Sequence, residues 1–116
     1  MKKQTIGVCV IVKNEERNIV PLIDSLYELS PEAIYLTDTG STDKTLENAQ
    51  RAASRNNFQL SVSNFEWCDD FAKARNFNFS QAKTDWILWL DADDTLENGN
   101  NLRNLVEKAN QIGVDG

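Results

Sequence analysis

Apolar strand-like runs alternating with helical stretches predict an α/β fold, a three-layer α/β/α sandwich around a mostly parallel sheet. Three observations carry this. "TIGVCVIV", Thr5 to Val12, is β-branched and almost continuously apolar, as in a strand covered on both faces. Between Glu15 and Leu29 the residues Ile19, Leu22, Ile23, Leu26 and Leu29 recur at helical spacing. The same alternation then repeats along the chain, which is the pattern of βαβ units with right-handed crossovers.

The first strand is Thr5 to Val12. The helix expected over Glu15 to Leu29 has Asn14 as its candidate cap, and Ser30-Pro31 ends it, because the residue before proline disfavours helical dihedrals. "AIYLTDT", Ala33 to Thr39, is the second strand and stops at Gly40. "STDKTLENAQRAASRN" reads as the second helix, with Ser41 or Thr42 as N-cap and Leu46, Ala49 and Ala53 facing inward. Phe58 to Ser63 alternates apolar and polar residues, the pattern of a half-exposed strand near a sheet edge. After the loop "NFEWCDD", the third helix runs through "DFAKARNFNFSQAK", with Phe71, Ala74, Phe77 or Asn78, and Ala82 on one side. "DWILWL" is a fourth strand and is expected to be buried. A last helix, Leu102 to Ile112, turns Leu102, Leu105, Val106, Ala109 and Ile112 inward. "GVDG" follows where another strand would start, so residues 1–116 read as a single domain whose pattern is cut off.

Composition narrows the function. With 12 Lys and Arg against 18 Asp and Glu, the net charge is −6, and there is no basic stripe for nucleic-acid phosphates. No apolar run approaches the roughly 20 residues of a membrane span. "MKKQTIGVCVIV" runs into "KNEER" without a small-residue cleavage site, so it reads as a core strand rather than a signal peptide, and a cytoplasmic location is expected. Histidine is absent, which removes His-based triads and His-ligated zinc. Cys9 and Cys68 lack metal-ligand spacing and read as free thiols. Neither Gly-x-Gly-x-x-Gly after the first strand nor a P-loop occurs, and the late strand that a receiver-like domain would need is missing.

Parallel sheets bind ligands beyond the carboxyl ends of their strands. Here those ends carry "KNEE" (Lys13 to Glu16), "DTGSTD" (Asp38 to Asp43), Glu66 with Asp69 and Asp70, and "DADD" (Asp91 to Asp94). Crowded carboxylates repel unless a cation or hydrogen-bond donors offset them. In Asp-x-Asp on extended chain, Asp91 and Asp93 point one way while Ala92 turns away. Mg²⁺ or Mn²⁺ suits such oxygen ligands and completes its shell with substrate phosphate, so a phosphorylated ligand, a diphosphate, is implied. The alternative is that Asp91, Asp93 and Asp94 are turn formers or caps. Gly40 permits a close backbone approach, and Asp38 suits hydrogen bonding to a base or ribose. Arg75 is a candidate phosphate contact or else a solvated ion pair. Phe71 reads as packing, and Trp67 as either packing or stacking.

"VIVKNEERNI", "TDTGSTDKT" and "FEWCDDFAKARNFNFSQAKTDWILWLDADD", in that order over about residues 5 to 97, resemble family 2 glycosyltransferases of the GT-A fold, notably a bacterial "DTGSTD" branch. The resemblance implies a Rossmann-like nucleotide-binding half with strand order 3-2-1-4, and transfer of a sugar from a nucleotide-diphosphate sugar, UDP-sugar favoured. It places Val12, Asn14, Glu15 and Glu16 around the base with Asp38 beside them, and Thr39 and Gly40 in the same donor-binding group. Arg75 would approach the base or diphosphate, Asp91 with Ala92 would lie near the ribose or metal, and Asp93 would ligate Mn²⁺ or Mg²⁺. Thr39 departs from the "DDGS" of many relatives, where an acid contacts the base. The family's general base lies in a second half, so this chain is expected to hold only the donor-binding portion. The competing reading is a non-catalytic nucleotide-, phosphate-binding or assembly module of α/β type, in which an exposed sheet edge could pair two copies.

Overall fold

The computed structural model describes residues 4–111. Its elements are β1 (Ile6–Val12), α1 (Ile19–Asp24), β2 (Ala33–Asp38), α2 (Thr45–Arg55), β3 (Leu60–Asn64), α3 (Phe71–Ser80), β4 (Trp86–Trp89) and α4 (Gly99–Gln111). The strands form one parallel sheet in the order β3-β2-β1-β4, as the alternation and the resemblance led one to expect. Val12 sits level with Asp38, and Asp38 with Asn64, so the carboxyl ends of β1, β2 and β3 make one rim.

The sheet divides two cores by the period-two rule. Val8, Val10, Val12, Ile34 and Leu36 point to the α1 and α2 layer, meeting Ile19, Leu22, Ile23, Leu26, Ala49 and Ala52, with Leu102 and Val106 of α4 on the same cluster. Cys9 and Tyr35 point to the α3 layer, against Phe79, Ala82 and Trp89. Burial pushes the Cys9 thiol up to about 11, since a thiolate there would be poorly solvated. Arg103 of α4 ties the opposite end of the sheet together, donating to the carbonyls of Leu29, Gln4 and Ser30 at 3.1, 2.8 and 2.7 Å and to Glu32 at 2.9 Å. Arg55 at 2.6 Å from Asp24 joins α2 to α1, and its guanidinium holds the Asp24 carboxyl below its ordinary value.

Several boundaries differ from the sequence reading, each for a local reason. The helix expected from Glu15 is regular only over Ile19–Asp24, with turns on both sides. Asn14 does not cap it; with φ of 54° it is left-handed, and its side chain serves the β2–α2 loop instead. Neither Ser41 nor Thr42 caps α2: the helix begins at Thr45, and the Asp43 carboxylate accepts the Thr45 N–H at 2.9 Å. In α3 the side chain buried beside Ala74 is Asn78 rather than Phe77, while Phe71 is half exposed. β4 is not buried. It is a sheet edge among the described residues, and Ile87 is 46% exposed. On α4, Val106 is buried but Leu105 faces outward; the side chain of Ala109 and the whole of Ile112 lie outside the described residues. No helix among the described residues is long and apolar enough to cross a membrane.

Candidate functional site

The rim is built by a reciprocal lacing of the β1–α1 and β2–α2 loops. The backbone N–H groups of Asn14, Glu15 and Glu16 donate to Ser41 Oγ at 2.9 Å, Thr45 Oγ1 at 2.8 Å and Asp43 Oδ2 at 3.4 Å. In return Asn14 Oδ1 accepts the Thr42 N–H at 2.8 Å, and Glu16 Oε2 accepts the Lys44 N–H at 3.3 Å. Loops that cannot pair through a ladder satisfy their backbone groups this way. The Asp43 carboxyl is held below its ordinary value, first by the Thr45 hydroxyl and then by backbone N–H groups of Thr45 and Glu16. Asn14 and Glu16, expected beside a base, thus have side chains committed to holding the two loops together. Asp38 is almost buried and accepts the Ser41 N–H at 3.1 Å, which closes the turn around Gly40. Gly40 takes φ of 121°, and a Cβ there would meet nothing within 4 Å, so the turn is open to the rim.

Three cavities follow one another along this rim. One of about 300 Å³ is lined by Asp38, Thr39, Gly40, Asn64, Phe65 and Glu66. The next, about 240 Å³, shares Thr39 and adds Val12, Glu15, Trp67 and Phe71. The third, about 430 Å³, shares Phe71 and adds Arg75, Asn76, Phe79 and Trp89. An apolar groove of about 350 Å³ between β4 and α4 lies apart from them, lined by Ile6, Trp86 and Val106 among others, and carries no charged side chain for chemistry. Arg75 is exposed and makes no hydrogen bond or ion pair with a described residue, so the solvated ion pair considered for it does not form. Trp89 presents its ring to two edge-on partners, Phe71 at 5.8 Å and Phe79 at 5.4 Å.

Two residues beyond Trp89, Asp91, Asp93 and Asp94 are all exposed, and one carboxylate oxygen from each falls within 4.8 Å of the other two. Asp91 and Asp93 are therefore not splayed, while Ala92 turns into the core. Asp94 also acts as a turn former: its Oδ2 accepts the Asp91 N–H at 3.2 Å, and its own N–H donates to the Asp91 carbonyl at 3.0 Å. The turn and the convergence of oxygens coexist, and three anionic oxygens at that spacing are a donor set suited to a hard divalent cation. Sequence reasoning overlooked Asn64, Asn76 and Trp89 as cavity residues. For Trp89 the signal existed, since period-two alternation places it on the same side as Asp91.

Comparison with known proteins agrees with this architecture. The family model for glycosyl transferase family 2 matches residues 7–116. S. aureus TarS, residues 1–349 in complex with UDP, superposes with a TM-score of 0.77 at 28% identity, over 92% of this chain and 32% of that one. The mannosyltransferase PcManGT from Pyrobaculum calidifontis, in complex with GDP-Man and Mn²⁺, superposes with a TM-score of 0.77 at 24% identity, over 94% of this chain and 33% of that one, and speaks for the fold. A TPR repeat-containing protein of Synechococcus elongatus is 36% identical over 91 residues, which are 78% of this chain and 21% of the relative. The chain thus spans a third or less of the length of these relatives. With a GT-A fold and a family match over nearly its whole length, this protein belongs to glycosyl transferase family 2.

Proposed function

We propose that this chain is the donor-binding half of a metal-dependent glycosyltransferase and takes a nucleotide-diphosphate sugar, UDP-sugar favoured, along the three rim cavities. The observation that carries the reading is the convergence of Asp91, Asp93 and Asp94 oxygens within 4.8 Å, two residues beyond Trp89, which lines the same cavity as Arg75. The complex of TarS with UDP supports the choice of nucleotide. Val12, Glu15, Thr39 and Trp67 would receive the base, with Asp38 and Gly40 at the ribose side. Arg75 would offset diphosphate charge, and Asp91 and Asp93, with the backbone at Ala92, would hold Mn²⁺ or Mg²⁺. A bound cation would supply Lewis-acid stabilisation to the leaving diphosphate. The chain's own contribution is to bind and orient the donor and to keep the carboxylates convergent through the Asp91–Asp94 turn. No residue here is assigned as general base or acceptor contact.

Titration calorimetry with UDP tests this. Binding that requires Mn²⁺ and disappears in Asp93→Ala is expected; metal-independent binding, or none, would sink the reading. The same reading places the protein in the cytoplasm. A second copy pairing along β4 accompanies it, because that edge is apolar while β3 is the polar edge; a monomer in sedimentation would refute that part.

A further inference from the structure

Helix α3 is seated in an unusual way. Its apolar residues, Phe71, Ala72, Ala74, Phe77 and Phe79, spread around more than half of its circumference at 3.6 residues per turn. Phe77 meets Phe65 at 5.1 Å with the rings tilted by 39°, while Phe71 and Phe79 reach Trp89 on another side. A helix with apolar side chains on several sides could turn about its axis and still cover the sheet, so the hydrophobic pattern does not define one seat. Only Ala74 and Asn78 are fully buried. Asn78 Nδ2 donates to Thr37 Oγ1 at 2.7 Å and to the Tyr35 carbonyl at 3.0 Å, with the Val10 carbonyl at 3.5 Å. Thr37 in turn pairs with Ser63 of β3 at 2.9 Å. One amide therefore indexes α3 against β1 and β2, and through Thr37 against β3.

This arrangement is not chosen for stability alone. Asn78 Oδ1 is buried without a partner among the described residues, a cost that an apolar residue of similar volume would avoid. Directional bonds give instead a single rotation and height. Arg75 lies one turn before Asn78 and Phe71 two turns before it, and both line the rim cavities. A one-residue rotation of α3 would displace each Cα by about 3.5 Å at a helix radius of about 2.3 Å, enough to take a guanidinium away from a ligand.

We propose that Asn78 is a positioning residue that holds α3 in register and thereby places Arg75 against the donor diphosphate. The inference rests on the Arg75 role given under the proposed function, so its test has an arm without ligand. Trp89 reports the seat of α3 through its contacts with Phe71 and Phe79, and its near-UV circular dichroism is isolated by subtracting Trp89→Phe. Asn78→Leu is expected to melt within a few degrees of wild type yet lose most of the Trp89 signal. With Mn²⁺ present, its affinity for UDP is expected to fall about tenfold, and that fall is expected to vanish in an Arg75→Ala background. An unchanged Trp89 signal overturns the proposal whether or not UDP binds. So does a loss of affinity that simply adds to that of Arg75→Ala. Wild-type protein that binds no UDP removes the donor reading and with it the role toward Arg75, leaving the ligand-free arm to show whether Asn78 seats α3. Should Asn78→Leu fail to fold, the isosteric Thr37→Val removes one acceptor from the amide. It is expected to move both readouts in the same direction by less, and no movement overturns the proposal.

Discussion

Thr45→Val is the sharpest probe of how the rim is assembled. Thr45 is fully buried at the start of α2, and its hydroxyl works in both directions: it accepts the Glu15 N–H at 2.8 Å and donates to Asp43. Valine keeps the shape and removes the hydroxyl. The solvent-facing Asp43 carboxylate recovers most of its lost bond from water, so the larger part of the loss falls on the Glu15 amide, left without an acceptor in a part-buried loop, and a smaller, pH-dependent part on Asp43. A stranded N–H of that kind costs about 2 kcal/mol. At about 2.1 cal/mol/K per residue, that lowers Tm by roughly 8 °C. The pH dependence has a definite sign. Asp43 is held below its ordinary 3.8 chiefly by this hydroxyl, so the stability it lends is present above that value and is lost as pH falls through the lowered one. The gap between wild type and Thr45→Val is therefore full at neutral pH and narrows in acid below 3.8. Thermal melts followed by far-UV circular dichroism, with Thr45→Ser as the control that restores the hydroxyl, measure both effects. A Thr45→Val protein that melts with wild type at neutral pH would show that the hydroxyl does not hold the two loops, and the reasoning would be wrong.

Two further outcomes follow from packing and burial. In Gly7→Ala the new methyl would come within 2.6 Å of Tyr35 Cε2 and also meet the Thr84 hydroxyl, so overpacking at β1 costs about 1–3 kcal/mol; a denaturant midpoint equal to wild type would contradict this. A thiol reagent at mildly alkaline pH should label Cys68 alone in the native chain and Cys9 as well after unfolding, because Cys9 is buried with its pKa raised to about 11; two fast thiols in the native state would contradict that burial.

The site was partly legible because its chemistry is local. "DADD" encodes its own turn, so the convergence of Asp91 and Asp93 and the inward face of Ala92 follow from alternation along a few residues. The roles of Asn14 and Glu16 were not legible. Their partners, Thr42 and Lys44, are 28 residues away, and no pattern within either loop announces that the two are laced. That Arg75 has no ion-pair partner among the described residues was equally hidden, since pairing depends on which acids other elements bring near it.

Alternation of apolar and helical periods in the chain was enough to determine the α/β class, the parallel direction of the strands and the common rim of acidic loops. Each of those depends only on side-chain periodicity and on the handedness of short connections. Tertiary structure decided which face of α3 meets the sheet, that β4 is partly exposed rather than buried, and that Asn78 rather than Phe77 is buried. Those outcomes turn on competition between distant partners for one space, and residues such as Val10, Tyr35 and Thr37 meet Asn78 only after the sheet has formed.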